Sequence, residues 1–192
     1  MANIKIIHSE ILSKTKYELK KITFELQKED GSWLRQEREV YERRNAAAIL
    51  LYNKAKQTII LTEQFRLPTY LNGNESGMLV EACAGLLEKD EHPADAIVRE
   101  VQEETGYVIP KAEKVLEAYS SAGGLTELIY CYIAGYTDEL KKGPGGGLEE
   151  EGENVKVKEM KFSDALEWVF SGQIRDAKTI MLIQYLRLKE IM

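Results

Sequence analysis

The segment from Pro93 to Thr105 constrains the fold more than any other, because its pattern is that of an amphipathic helix with an unusual acidic face. Its apolar residues recur at helical spacing and predict a stripe that packs on a core: Ala94, Ile97, Val98 and Val101. Glu100, Glu103 and Glu104 lie at i, i+3 and i+4 on a neighbouring face. Like charges at these spacings cost about 0.2–0.5 kcal/mol per pair, and the helix dipole disfavours them near the C-terminus. A solvated surface is the alternative, but clustered carboxylates suit a hard divalent cation such as Mg²⁺.

Length and composition limit the classes of protein to which this helix can belong. The 192 residues predict one globular domain with a small appendage, and 44% hydrophobic residues exclude wholesale disorder. The net charge of −6 disfavours nucleic acid or an anionic membrane as a partner, but it allows a phosphorylated small molecule if a cation bridges the two. No apolar run is long enough for a membrane span and no secretory signal is visible, so we expect a cytoplasmic protein. Cys83 and Cys131 lie in apolar stretches and are interpreted as buried thiols.

The first part of the chain, from Ile4 to Tyr41, has a β pattern. Asp30-Gly31 is a hairpin-turn signal, and the change of apolar phase after Lys20-Lys21 predicts a β-bulge. Strands this few in number need another partner to pack against.

In the rest of the chain, strand and helix patterns interleave around one core, which predicts an α/β or α+β class. The predicted strands are 46–52, 58–65, 78–82, 125–134 and 155–162, and the further helices are 163–170, capped by Ser163, and 174–189.

The residues around the acidic helix also fit a longer frame. Gly85, five residues, Glu91, seven residues, and then the run from Arg99 to Tyr107 resemble the complete Nudix box, G-x5-E-x7-R-E-U-x-E-E-x-G-U. The one departure is Tyr107, at a final aliphatic position that serves packing. The resemblance implies an α/β/α sandwich that hydrolyses nucleoside diphosphates linked to another group, with Mg²⁺ or Mn²⁺.

The same resemblance implies roles for individual residues. Glu100, Glu103, Glu104 and the Ala84 carbonyl would be metal ligands, with Glu103 also assisting catalysis. Arg99 would pair with Glu91, either to lock the loop and helix together or as an ordinary surface salt bridge.

Further segments resemble one group within the family, the nucleoside-diphosphate-sugar pyrophosphatases, and most of all the bacterial GDP-mannose pyrophosphatases. They are Glu63–Arg66, Asn72–Gly77, Glu81–Gly85, Ser121–Glu127 and Ile174–Thr179. The resemblance implies a β domain at 1–43 that is exchanged between the subunits of a homodimer, followed by a Nudix domain at 44–192. The ADP-ribose pyrophosphatases share this architecture, and Ala122 at a position that is usually proline decides little between the two.

The loop that begins at Gly143–Gly147 contains a second acidic group. Taken alone, a glycine run followed by glutamates is typical of a mobile solvated loop. In the family, a glutamate in the context E-x-E-[DN]-[IV] closes on the site, and here we favour Glu153 over Glu149, Glu150 and Glu151 as catalytic base and metal ligand. The glycines are expected to provide the flexibility for that movement.

The resemblance also implies a set of substrate contacts, some from the neighbouring subunit: Lys16, Tyr17, Glu37, Arg38, Glu39, Arg66, Ala84, Gly85, Leu86, Glu104, Glu127, Gly152, Glu153 and Lys178. The expected reaction converts GDP-mannose to GMP and mannose 1-phosphate. ADP-ribose hydrolysis to AMP and ribose 5-phosphate is the alternative, and a non-catalytic nucleotide-sugar sensor is a more distant one.

Overall fold

The N-terminal segment forms an antiparallel sheet of its own in the computed structural model, which describes residues 3–148, 152 and 154–192. Its strands are β1 (Ile4–Lys14), β2 (Glu18–Gln27) and β3 (Trp33–Glu42), and β2 lies in the middle. The chain divides into two compact units, of which the first comprises the residues up to Asn45 together with Tyr119–Leu128. The second comprises Ala46–Ala118 and the chain from Ile129 onwards.

The predicted Asp30-Gly31 turn is confirmed. The Asp30 side chain accepts a hydrogen bond from the Ser32 amide at 2.8 Å, and Gly31 has a φ of 84°, which favours glycine. The predicted bulge in β2 is wrong, because β2 pairs with β3 without interruption from Glu18 to Gln27. The register shifts lie in β1 instead. Most residues of β2 are half-buried on both faces of the sheet. The alternation of apolar residues along β2 therefore does not determine which strand contains the extra residue of the bulge.

In the second unit, the described strands form one mixed sheet. They are β4 (Ala46–Asn53), β5 (Thr58–Phe65), β6 (Met78–Glu81), β7 (Cys83–Leu86), β8 (Glu113–Tyr119), β9 (Leu128–Gly135) and β10 (Lys156–Lys161). Their order is β10-β5-β4-β9-β8, with β6 beside β5 and β7 beside β4. β4 runs parallel to β9 and antiparallel to β5 and β7. The ends of β8 and β9, Tyr119 and Leu128, belong to the first unit.

The central strand β4 is buried on both faces, which explains its continuous apolar run. Ala46, Ala48 and Leu50 pack in one core with residues of α3 (Phe162–Phe170) and α4 (Ala177–Leu188). The residues that alternate with them pack in a second core with α2 (Pro93–Glu100). Helices therefore cover both faces of the sheet, in a mixed α/β fold.

The acidic helix forms as predicted but changes geometry before its end. The His92 side chain accepts a hydrogen bond from the Ala94 amide at 3.2 Å, which caps the N-terminus of α2. From Val101 to Thr105 the helix widens into one π-helical turn, and Gly106, with a φ of 73°, ends it. Such π turns inside helices are frequent at functional sites.

Other boundaries differ from the sequence predictions for local reasons. α3 begins at Phe162 without a side-chain cap, so the predicted cap at Ser163 is wrong. α4 begins later than predicted because Asp176 caps it, accepting from the Thr179 amide at 3.0 Å. The elements not predicted are short or lack a clear period, namely α1 (Leu67–Leu71), β7 and β8. None of the helices among the described residues is long and apolar enough to cross a membrane.

The two sides of α4 give a test of where the core lies. Leu182 is fully buried, whereas Leu188 is exposed. We expect Leu182→Ala to lower the free energy of unfolding by about 2–5 kcal/mol, since it removes buried methyl groups and leaves a cavity. Leu188→Ala is the matched control and should change it by less than about 0.5 kcal/mol. Urea denaturation measures both, and equal losses would contradict this assignment of the core.

Candidate active site

Glu100 and Glu104 converge on the same short strand, β7. The Ala84 amide donates to Glu104 Oε2 at 3.3 Å. A Cβ atom on Gly85 would lie 1.8 Å from Glu100 Oε1, so the Glu100 carboxylate occupies the space that a side chain would fill. Glu104 is 1% exposed and Glu100 is 9% exposed. Carboxylates are rarely buried to this extent without a compensating partner or metal.

Arg99 joins the glutamates of the acidic helix to the preceding loop. Its guanidinium lies 3.2 Å from Glu91, 3.0 Å from Glu100 and 2.9 Å from Glu103. Burial would lower the pKa of Arg99, but the hydrogen bond with Glu91 and the charges of Glu100 and Glu103 outweigh it and raise that pKa. Arg99 therefore contacts its predicted partner Glu91 and, in addition, Glu100 and Glu103, whose negative charges it partly neutralises.

The residues on this face fit a hard divalent cation. Glu100 and Glu104 supply carboxylate oxygens beside Ala84, whose carbonyl is a further oxygen donor, and oxygen ligands are what Mg²⁺ prefers. In the described residues, no three His, Cys, Asp or Glu side chains are already arranged as a metal-binding group. Glu103 is turned to Arg99, with its Oε2 2.9 Å from the guanidinium.

A second charged cluster lies where β5, β6 and α4 meet. Arg66 donates from Nε and Nη2 to the two carboxylate oxygens of Glu81, at 2.6 and 3.2 Å. Lys178 Nζ donates to Glu81 Oε2 at 2.6 Å and to Asp176 Oδ1 at 3.0 Å. Two predicted substrate contacts, Arg66 and Lys178, are thus brought together by an acid that the sequence analysis did not assign.

The Gly143–Gly147 loop is hydrogen-bonded to the end of the acidic helix. The Gly146 amide donates to the Glu104 carbonyl at 2.9 Å, and the Gly147 amide donates to the Glu103 carbonyl at 3.1 Å. A Cβ atom on Gly145 would lie 2.4 Å from the Glu104 carbonyl oxygen. Gly145 therefore permits close backbone approach at this point, and the flexibility predicted for the loop stays a prediction.

The acidic residues that follow this loop lie mostly outside the described residues. Glu153, the predicted base and metal ligand, is one of them, as are Glu149, Glu150 and Glu151. Gly152 is described, and its φ of 72° is in the left-handed region.

Of the remaining predicted substrate contacts, Leu86 ends β7 in the second unit. The others belong to the first unit: Lys16, Tyr17, Glu37, Arg38, Glu39 and Glu127. Two of them meet around Arg43, which the sequence analysis missed. Arg43 Nη2 lies 3.5 Å from the buried Glu127 carboxylate, and the Arg43 guanidinium lies 5.3 Å from the centre of the Tyr17 ring. Glu37 instead pairs with Lys21 at 2.8 Å.

Two buried polar atoms of this group, the Tyr17 hydroxyl and Arg43 Nε, have no hydrogen-bond partner among the described residues. Unpartnered buried donors beside a carboxylate suit a polar ligand.

The residues that were missed had weak signals in the sequence. Glu81 and Asp176 fall within segments quoted for the resemblance, but only the fold shows that they hold Lys178. Arg43 follows a β pattern without a motif of its own, and its contact with Glu127 spans a long stretch of chain.

Comparison with known proteins agrees with this geometry. The model of the NUDIX domain matches residues 42–182, and the model of the GDP-mannose pyrophosphatase NudK N-terminal domain matches residues 3–41. Together with the buried carboxylates on the acidic helix, this shows that the chain belongs to the Nudix family and is a Nudix pyrophosphohydrolase.

Three curated relatives are similar to the chain over almost its whole length. The GDP-mannose pyrophosphatase of Cronobacter sakazakii is 51% identical over 190 residues, which cover 99% of this chain and 98% of the relative. That of Salmonella arizonae is 48% identical over 190 residues, with the same coverage. That of Escherichia coli O1:K1 is 47% identical over 189 residues, which cover 98% of this chain and 97% of the relative.

The predicted Nudix fold is confirmed in its mixed α/β architecture and its small N-terminal antiparallel sheet. Nudix hydrolases use divalent metal ions, in keeping with the oxygen donors on the acidic helix. The one departure from the box, Tyr107, is buried and packs edge-on against Tyr136, with ring centres 5.1 Å apart.

Gly85 gives a test of the carboxylate arrangement. Gly85→Ala would place a Cβ atom 1.8 Å from Glu100 Oε1, so the Glu100 carboxylate must move. We expect a loss of hydrolysis of about 100-fold, since a displacement of about 1 Å at a catalytic group has effects of that size. Calorimetric titration with Mg²⁺ should show weaker binding.

The matched control is Gly135→Ala, because a Cβ atom on Gly135 meets nothing within 4 Å. Activity and Mg²⁺ affinity should both stay at the level of the unmodified protein. If Gly85→Ala kept full activity and Mg²⁺ affinity, the prediction that Glu100 binds the metal ion from its present position beside Gly85 would be wrong.

Proposed function

We propose that this chain hydrolyses the pyrophosphate bond of GDP-mannose, with Mg²⁺ as the divalent ion, and yields GMP and mannose 1-phosphate. The observation that carries the proposal is the similarity to GDP-mannose pyrophosphatases along both units, together with the buried carboxylates of the acidic helix. The ADP-ribose alternative is not favoured, since the matched relatives are named for GDP-mannose.

Each part of the proposed site has a separate task. Glu100, Glu104 and the Ala84 carbonyl would hold the metal ion, with Glu103 and Glu153 completing its surroundings. A bound divalent ion supplies positive charge to the pyrophosphate and makes a water molecule more acidic. Glu153 would take the proton from the attacking water, in keeping with the family pattern around it.

The cations would hold the phosphates. Arg66 offers a planar fork that matches phosphate oxygens, and Lys178 adds a second charge 2.6 Å from the same carboxylate, Glu81. Ala84, Gly85 and Leu86 would contact the substrate through their backbone, next to the metal ion.

The first unit would hold the nucleotide and the sugar. Glu127, Tyr17 and the unpartnered Arg43 Nε combine an acceptor, an aromatic face and a donor, and this combination suits a purine base. Lys16 and Tyr17, together with Glu37, Arg38 and Glu39, are the proposed contacts contributed by the other subunit of a dimer.

The substrate proposal is tested by competition. An equimolar mixture of GDP-mannose and ADP-ribose is incubated with the protein and Mg²⁺, and the products are identified by mass. We expect GMP and mannose 1-phosphate to form first and only when metal is present, with an EDTA sample as the control. AMP and ribose 5-phosphate forming first would overturn the choice of substrate while keeping the class of enzyme.

The proposed catalytic glutamates are tested by charge removal. Glu103→Gln and Glu153→Gln should each lower kcat by about 100-fold or more, the range expected when an acid–base group is lost. Glu167→Gln, on the exposed side of α3, is the matched control and should leave kcat unchanged. Full activity in both site variants would refute these two roles, provided that thermal unfolding shows all three proteins folded.

We further propose a cytoplasmic homodimer in which a β domain at residues 1–43 is exchanged. Every residue of β1 is exposed, and β1 forms an edge of its sheet. Five large apolar side chains on it are between 42% and 64% exposed: Ile4, Ile6, Ile7, Ile11 and Leu12. A long exposed apolar edge strand is a surface that proteins normally cover.

Light scattering after gel filtration tests the dimer. We expect a mass of twice 21.9 kDa for the natural sequence. The double variant Ile6→Lys/Ile11→Lys should run as a monomer, because two charges on the apolar strand oppose its burial, and it should lose activity with the contacts from the partner. Glu29→Lys, in the exposed turn of the same unit, is the control and should remain dimeric. A natural protein with the mass of one chain would refute the proposal.

A further inference from the structure

Glu81 is the most deeply buried member of the charged cluster formed by Arg66, Glu81, Asp176 and Lys178. It is 2% exposed at the end of β6, and its two oxygens accept hydrogen bonds from both Arg66 and Lys178. Burial would raise the pKa of Glu81, but the charge of Lys178 and the hydrogen bonds and charge of Arg66 outweigh it and hold that pKa below the ordinary value. Glu81 is therefore a carboxylate ion with two cationic partners.

Strand β5 and helix α4, next to which or in which Arg66 and Lys178 lie, are bonded to the chain on either side of Glu81. Arg66 follows β5 directly, and β5 pairs with β6 from Phe65↔Met78 to Thr62↔Glu81. Lys178 lies in the first turn of α4, and the residue after it, Thr179, accepts a hydrogen bond from the Ala82 amide at 2.6 Å. The backbone therefore brings an arginine and a lysine from distant parts of the chain to one buried acid.

Glu81 accepts hydrogen bonds from only one of the two edges of the Arg66 guanidinium that can bind an anion through two nitrogens. Glu81 binds the side of the guanidinium that carries Nε and Nη2. A guanidinium has a second edge, formed by Nη1 and Nη2, which can bind a phosphate in the same bidentate manner. Contact with Glu81 on one edge fixes the plane and direction of the other.

Lys178 is held in a similar way. Two of the three donors of an ammonium group are accounted for by Glu81 and Asp176. Asp176 in turn is fixed, because its other oxygen accepts from the Thr179 amide and hydroxyl at 3.0 and 2.6 Å. The ammonium group is thus placed by two acids, neither of which can turn away without breaking other bonds.

We infer that Glu81 is a positioning residue, which joins Arg66 and Lys178 into one preformed pair of cations for the pyrophosphate of the substrate. The inference rests on the proposed function, in which both cations contact phosphate. Both oxygens of Glu81 are occupied by Arg66 and Lys178, so its role would be to remove the freedom that these two long side chains would otherwise lose on binding, rather than to contact the substrate.

A double-mutant cycle tests whether Glu81 acts through Arg66. Glu81→Gln keeps the shape of the side chain and removes the charge, so we expect kcat/KM for GDP-mannose to fall by about 10-fold to 100-fold, mostly through KM. In an Arg66→Gln background, the same change should cost clearly less, since one of the two cations that Glu81 positions is gone and only its contact with Lys178 remains to be lost. Equal losses in both backgrounds would show a structural role and overturn the inference.

Two further variants separate positioning from folding. Glu81→Asp keeps the charge and should recover part of the loss in KM. Glu159→Gln is the matched control, because Glu159 also accepts from several side chains, namely Tyr136, Thr58 and Lys56, but lies on β10 outside the proposed site. It should leave KM unchanged. Unfolding temperatures measured for every variant fix an assay temperature at which all are folded.

Calorimetric binding of inorganic pyrophosphate with Mg²⁺ gives a readout that does not depend on turnover. We expect the dissociation constant to rise about 10-fold in Glu81→Gln and to stay unchanged in Glu159→Gln. If the natural protein fails to hydrolyse GDP-mannose but shows this difference, the proposed function is wrong and the role of Glu81 stands. Unchanged pyrophosphate binding in Glu81→Gln would overturn the role of Glu81, whatever the activity.

Discussion

The arrangement of the site depends on the burial of two carboxylates against β7, one of which, Glu100, occupies the space that a side chain at residue 85 would fill. Glu100 and Glu104 lie on one face of the acidic helix, and that face can approach β7 only because residue 85 is glycine. Burial of carboxylates opposes folding unless they are paired, so Arg99 beside Glu100 and the apolar stripe on the neighbouring face both help to hold the helix on the sheet. Ile97 and Val101 do this, packed against β4. The buried carboxylates therefore lower the local stability, and the apolar core contacts of Ile97 and Val101 compensate for that loss.

The charges of the site are arranged in two clusters with opposite purposes. The acidic helix gathers carboxylates and partly neutralises them with Arg99, which suits a cation. The second cluster gathers Arg66 and Lys178 around Glu81, which suits an anion. The two clusters contact strands of one sheet, since Glu81 ends β6 and Glu104 bonds to Ala84 in β7, and Ala82 and Cys83 connect these two positions along the chain. A substrate that carries phosphates and arrives with a divalent ion matches this combination of charges.

The sequence was most informative where function depends on local spacing. The helix and its acidic face follow from residues close together in the chain, and the structure has both. It was less informative where a contact joins distant residues. Neither the hydrogen bonds of Glu81 nor the contact of Arg43 with Glu127 has a period or motif, because each is created by the packing of separate elements. The close approach of Gly145 to the Glu104 carbonyl could not be predicted for the same reason, and the predicted flexibility of the glycine loop stays a prediction.

The hydrogen bonds between the glycine loop and the acidic helix have a thermodynamic consequence. Gly146 and Gly147 bond to the carbonyl groups of Glu104 and Glu103, the residues whose side chains belong to the proposed metal site. The loop is therefore bonded to the same two residues that carry these carboxylates, and a change of loop conformation that shifted their backbone would also shift the carboxylates. By linkage, if one loop conformation changes the cation affinity by some factor, cation binding changes the equilibrium between the loop conformations by the same factor. In the proposed metal site, cation affinity would thus depend in part on a loop whose glycines supply no side-chain ligand.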